Sequence, residues 1–224
     1  MTFSLAGRCA RTGMLGVAVA SSSPAVAARC AHTRADVGAA LTQNVTDPML
    51  GPMALDLVED GFEAGQALIE LWDAARHPDY RQVLVIDAGG RTAVMSGPEV
   101  LGRHAEARGR DVVAAGNLLH NDGVPAAMVA AFEEAEGDLA TRLLWALHMG
   151  REAGGEAGPI HSAGLQVADR QPWPYVDLRC DWTEGDPIGA VAEAWSIYAP
   201  QADDYVARAL NPTAAPSYGV PGDA

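Results

Sequence analysis

Short, almost continuously apolar runs fill the first 43 positions, and three strands are predicted there: Thr2 to Arg8, Leu15 to Ser21 after the turn Arg11-Thr12-Gly13, and Val37 to Gln43. The period then lengthens. Gly51 and Pro52 mark the start of a short helix carrying Met53, Leu55, Leu57 and Val58, which Gly61 stops. A second helix, with Leu68, Ile69, Leu71 and Trp72 as its stripe, runs to Pro78. Gln82 to Asp87 and Thr92 to Ser96 flank Ala88-Gly89-Gly90 as a hairpin, and Asp111 to Ala115 is a further strand leading into Gly116-Asn117. From Val124 to about Gly150, the residues Met128, Phe132, Leu139, Leu143 and Leu147 recur at spacings of four and seven, which predicts one long helix weakened at Gly137. Ser162 to Ala168 and Val176 to Asp181 read as strands, and Pro187 to Tyr198 as the last helix, with Val191, Trp195 and Ile197. Residues 1–200 are expected to form a single domain, and the Pro/Gly-rich 201–224 an irregular tail.

Strands and helices neither alternate strictly nor separate into an all-β series, which predicts an α+β fold with antiparallel sheets. Runs such as Leu15-Gly16-Val17-Ala18-Val19-Ala20 and Val83-Leu84-Val85-Ile86 need cover on both faces. Two stacked sheets between helix layers, a four-layer αββα sandwich, satisfy that need.

Composition narrows the chemistry. The 224 residues carry 29 acidic and 15 basic side chains, a net charge of -14 that disfavours nucleic acid as a partner. No apolar stretch approaches the roughly 20 residues that cross a bilayer. The start lacks the layout of a signal peptide, so a cytoplasmic protein without membrane contact is expected. All 15 basic residues are arginines, which excludes lysine Schiff bases, the P-loop lysine and Ser-x-x-Lys acylases. The six histidines show no zinc-hydrolase spacing, no carboxylate cluster resembles a calcium loop and no Gly-rich turn joins a strand to a helix, so neither metal nor nucleotide cofactor is expected. Cys9, Cys30 and Cys180 match no redox or zinc pattern and read as reduced thiols, and Cys9 with His32 has no spacing logic as a dyad. Five tryptophans, among them Trp173 and Trp182 beside a strand, suit a homodimer.

Removal of Met1 would leave Thr2 with a hydroxyl and an α-amine in one residue, nucleophile and base together. The amine has a reference pKa of about 7.7 to 8.0, so a useful fraction is neutral near pH 7. The alternative is a β-branched residue that merely starts a strand.

The segments Thr2-Phe3-Ser4-Leu5-Ala6, Gly16-Val17-Ala18-Val19-Ala20-Ser21, Thr42-Gln43, Arg81-Gln82-Val83, Gly116-Asn117-Leu118-Leu119 and Pro174-Tyr175-Val176-Asp177-Leu178-Arg179 occur in an order that resembles the DUF1028 family of bacterial proteins. The resemblance spans Thr2 to Asp181 and implies a branch of the N-terminal nucleophile (Ntn) hydrolases. The implied activity is hydrolysis of a small linear amide, or of an N-acyl or N-carbamoyl compound, by an N-terminal threonine. A non-catalytic ligand-binding or oligomeric module on the same fold is the alternative. Where the family often shows a basic run and then Gln-Ser-Ala, this chain has His161-Ser162-Ala163, so Ser162 is carried over more readily than His161. The lysine of proteasome-like relatives has no counterpart near Ala40 to Thr42.

Asn117 and Asn44 are the candidate oxyanion donors, with turn chemistry as their other reading, and Gly116 offers a backbone donor. Ser21, Ser22 and Ser23 stand close to Thr2 if the first two strands pair, and Thr42, Gln43 or Asn44 would orient the amine or a water. Arg81, Asp177 and Arg179 either bind a substrate carboxylate, hold one another as an ion pair, or lie on a solvated edge. His104 is either a polar contact to a small-molecule substrate or structural.

Overall fold

The computed structural model describes residues 1–217. The chain opens with β1 (Thr2–Arg8) and β2 (Leu15–Ser21), turns through α1 (Ala27–Cys30), and continues into β3 (Ala31–Arg34) and β4 (Gly38–Asn44). Next come α2 (Leu50–Glu59), α3 (Ala64–Ala74), β5 (Arg81–Asp87), β6 (Thr92–Ser96), β7 (Ala105–Gly109) and β8 (Val112–Asn117). The last part holds α4 (Val124–Glu134), α5 (Leu139–Glu152), β9 (Ser162–Ala168), β10 (Val176–Cys180), α6 (Pro187–Tyr198) and α7 (Ala202–Leu210).

A six-stranded sheet runs in the order β10-β9-β2-β1-β8-β7 and a four-stranded sheet in the order β3-β4-β5-β6, with antiparallel pairing throughout. The two sheets pack face to face. Leu15, Val17, Val19, Val113 and Ala115 of one meet Ala39, Leu41, Leu84 and Ile86 of the other. The opposite faces bear helices. Phe3, Leu5, Ala18 and Ala20 lie under Met128, Phe132, Leu143 and Leu147, while Ala40, Val83 and Val85 lie under Leu50, Leu55, Leu68 and Leu71. The result is a four-layer αββα sandwich, and it explains why β2 and β5 are apolar at consecutive positions: both faces are covered. Each fully buried Leu, Ile or Phe contributes about 1.5–3 kcal/mol relative to leaving it in water.

Small residues let the helices settle. Gly7 and Gly16 pair across β1 and β2; a Cβ on Gly7 would stand 2.8 Å from the Phe132 ring, and one on Gly16 would stand 2.8 Å from Leu143.

The structure corrects three expectations. The single long helix is two, α4 and α5, because Gly137 adopts a φ of +106° and Asp138 caps a new helix through Thr141 N. The tail expected to be irregular contains α7, with Ala202 fully buried at its start; the remainder of that expectation, residues 218–224, lies outside the described residues. β3 and β7, edge strands of the two sheets, were not expected. Among the described residues, no helix is long and apolar enough to cross a membrane.

Candidate active site

β1 lies between β2 and β8, and register brings the ends of four strands together. Thr2 pairs with Ser21 on one side and Asn117 on the other, and Ser21 pairs with Ser162. Directly paired residues share a face, so Asn117, Thr2, Ser21 and Ser162 form one polar row, each no more than 6% exposed. Along β1 the same face carries Ser4 and then Ala6, which belongs to the layer between the sheets. The row therefore sits at the rim of the inter-sheet core.

The facing sheet has a matching row, Gln43, Gln82 and Ser96, set by the registers of β4, β5 and β6. Ser4 Oγ donates to Gln43 Oε1 (2.6 Å), and Gln43 Nε2 donates to Gln82 Oε1 (2.8 Å) and to Ala115 O (3.3 Å). Gln82 Nε2 donates to Ser96 Oγ (3.0 Å) and Gly116 O (3.2 Å), while Asn117 Nδ2 donates to Gln82 Oε1 (3.2 Å). Buried amides are tolerated only when so paired. One acceptor, Asn117 Oδ1, is left without a partner.

The hydroxyls converge on the start of the chain. Thr2 Oγ1 donates to the Met1 carbonyl at 2.5 Å, Ser21 Oγ donates to the same oxygen, and the two hydroxyls lie 3.3 Å apart. Ser21 is steadied in turn by Ser23, whose N–H donates to Ser21 Oγ (3.0 Å) and whose carbonyl accepts from Ser162 Oγ (2.6 Å). The thioether end of Met1 lies against Gly158, where a Cβ would come within 2.7 Å of Met1 Cε.

Glu156 completes the surroundings and was not anticipated. It lies in the loop between α5 and β9, bridges to Leu119 two residues beyond Asn117, and is 5% exposed, yet neither carboxylate oxygen has a hydrogen-bond partner. Burial pushes its carboxyl up to about 7, against the opposing pull of the Met1 amine, the polar groups of Ser22 and His161. The signal in the sequence was slight: one acid among Gly154, Gly155 and Gly158 reads as a solvated loop.

Gln43 and Gly116 belong to this network through the Gln43 side chain and the Gly116 carbonyl. Asn44 and Arg81 face each other at the adjacent strand ends, but both serve the backbone. Asn44, at a φ of +76°, donates from Nδ2 to Tyr80 O (2.6 Å) and accepts at Oδ1 from Leu101 N (3.1 Å). Arg81 donates to the carbonyls of Val45 and Arg76. His104 is exposed before β7. Asp177, exposed on the edge strand β10, accepts from Gln166 in the row of Val17 and Ala6, four positions along β1 from Thr2. Arg179 pairs with Asp181 (3.6 Å) rather than with Asp177 or Arg81. Thr42, between Leu41 and Gln43, donates to Asp47 O.

Cys9 follows the far end of β1, whereas His32 is on β3 of the other sheet; Cys30 ends α1 beside Thr46, and burial raises its thiol to about 11 against the opposing pull of Thr46, Arg29 and the Met1 amine. Among the described residues, no three His, Cys, Asp or Glu side chains are grouped to hold a metal ion.

Residues 2–191 match the family model DUF1028, described as a family of unknown function. The chain belongs to the DUF1028 family. Among solved structures it is similar to protein SPO2555 from Silicibacter pomeroyi, a DUF1028 crystal structure, with 27% identity and a TM-score of 0.82 over 88% of this chain and 89% of that one. Anbu (ancestral beta-subunit) from Yersinia bercovieri aligns over 88% of this chain and 97% of its own, with 11% identity and a TM-score of 0.41. No curated protein matches the chain. In DUF1028 terms, the buried row begins at the first residue that the family model matches, Thr2.

Proposed function

We propose that this DUF1028 protein is an amide hydrolase of the N-terminal nucleophile type, acting on a small linear amide or an N-acyl or N-carbamoyl compound once Met1 is removed. The observation that supports this most is the buried row Asn117, Thr2, Ser21 and Ser162, with two hydroxyls converging on one acyl oxygen, that of Met1.

In this reading the Thr2 amine takes the proton of Oγ1 as Oγ1 attacks the substrate carbonyl. The tetrahedral oxyanion accepts from Asn117 Nδ2, which has a second hydrogen beyond the one given to Gln82. Such a donor is worth about 2.7–4 kcal/mol of barrier. The amine then passes the proton to the leaving nitrogen, and water, activated by the same amine, resolves the acyl ester on Thr2. Ser21, held by Ser23, orients the hydroxyl.

The test has two parts. Intact mass of the purified protein is expected to show loss of Met1. A screen of simple amides, N-acyl and N-carbamoyl compounds is expected to find turnover that Thr2→Ala lowers about 1,000-fold or more. Quantitative retention of Met1, or equal turnover by Thr2→Ala, overturns the proposal. The seated Met1, its carbonyl held and its thioether against Gly158, favours the second reading of a non-catalytic ligand-binding module. Metabolite binding without turnover would select that reading. The proposed assembly is a homodimer, expected as twice the 23.3 kDa chain mass in light scattering.

A further inference from the structure

Met1 occupies the acyl side of the cluster as an amino acid. Its carbonyl oxygen is held by Thr2 Oγ1 and Ser21 Oγ, its thioether end lies against Gly158, and its amine carries the positive charge felt by Glu156. The nitrogen that Met1 acylates and the hydroxyl that would be acylated in catalysis sit on neighbouring carbons of Thr2. An acyl group on either atom thus occupies overlapping space. Met1 is an imprint of the acyl group that the emptied site would receive.

Glu156 supplies what is otherwise unexplained. A buried carboxylate is retained only when a cation or hydrogen-bond donors compensate it, and both oxygens of Glu156 lack a partner although the chain has 15 arginines. The Met1 ammonium is the cation that acts on it in the intact chain, beside the polar groups of Ser22 and His161, and removal of Met1 takes that ammonium away and leaves its place to a ligand. We infer that the substrate is the amide of an α-amino acid with a free amino group, its ammonium bound by Glu156 and its apolar side chain lying against Gly158. This rests on the reading of Thr2 as nucleophile and deepens it. The step consumes one water: the C–N bond of the amide breaks, the acyl group passes to Thr2 Oγ1 and then to water, and ammonia or an amine leaves with the proton first taken from Oγ1.

The test uses the Met1-free protein, verified by intact mass, with L-methioninamide and N-acetyl-L-methioninamide as substrates and L-methioninol as a ligand with no bond to cleave. Ammonia release from the free amine is expected to exceed that from the acetylated compound about 100-fold in kcat/KM. Glu156→Gln is expected to remove that preference through KM, Glu156→Asp to restore part of it, and methioninol binding by calorimetry to disappear in Glu156→Gln. Equal or faster cleavage of the acetylated compound, or an equal loss on both substrates in Glu156→Gln, overturns the inference. Glu156-dependent methioninol binding without turnover upholds amine recognition and rejects the nucleophile. Absence of both binding and turnover with these probes overturns the inference.

Discussion

The two ends of β1 contain opposite solutions to burying polar groups. At the Arg8 end, opposite charges are paired although the Nε atoms of Arg8 and Arg142 are buried without partners: Arg8 bridges Asp111 at 3.0 Å, Arg142 lies over the Phe132 ring at 4.1 Å, and a cavity of about 550 Å³ is lined by both signs, Arg11 and Arg110 with Glu133 and Glu136. At the Thr2 end, hydroxyls and amides converge on an acyl oxygen, and the groups left without partners are acceptors, the Glu156 carboxylate and the Asn117 amide oxygen. Compensated charge holds a fold together, whereas uncompensated polarity raises the energy of the empty site and lets a ligand recover it. On that contrast rests our proposal of the Thr2 end as the site.

The largest structural effect is expected where the Thr2 end is tied to the second sheet. Gln82→Leu removes the acceptor of Gln43 and Asn117 and the donor to Ser96 and Gly116, leaving several buried groups unpaired. A loss of about 3 kcal/mol is expected in denaturant unfolding.

Glu156→Gln sharpens the comparison through pH. The folded carboxyl, at about 7, lies above its ordinary 4.5, so its contribution to stability is complete below about 4.5 and is lost as pH rises through about 7. Glutamine cannot ionise and escapes that loss. The variant is expected to gain about 3 kcal/mol on wild type between pH 4.5 and pH 8, as read from urea midpoints at each pH. A pH-independent difference would show that the folded carboxyl titrates as the unfolded one does, and a wild type that gains on the variant as pH rises would show that Glu156 is paired.

At the other end, Arg8→Met is expected to cost only about 1 kcal/mol, because the pair is partly solvated, and to leave turnover unchanged. Lost turnover at constant stability would break the contrast between the two ends.

The interior strands were legible because two covered faces demand consecutive apolar residues, as in Val83-Leu84-Val85-Ile86. The edges were not: Ala31-His32-Thr33-Arg34 and Ala105-Glu106-Ala107-Arg108-Gly109 are half polar, since each pairs on one side only. Gly137 was visible as a weak point, but its left-handed turn, which folds α5 back on α4, arises from tertiary packing. Of the candidate site, Thr2, Ser21, Asn117 and Ser162 share a row because each starts or ends a correctly placed strand. Asn44 and Arg81 share that position in β4 and β5 yet spend their hydrogen bonds on loop carbonyls and amides, which no strand pattern reveals. Glu156 was invisible for a related reason: its burial comes from the bridge to Leu119, a contact between two loops.

The central claim is that Thr2 is the residue acylated in turnover. Quenching the Met1-free protein during hydrolysis of an activated ester or amide and mapping peptides by mass spectrometry tests it directly. The account predicts an acyl adduct on Thr2, absent in Thr2→Ala; turnover with no adduct there, or an adduct on another residue that survives the substitution, would contradict it.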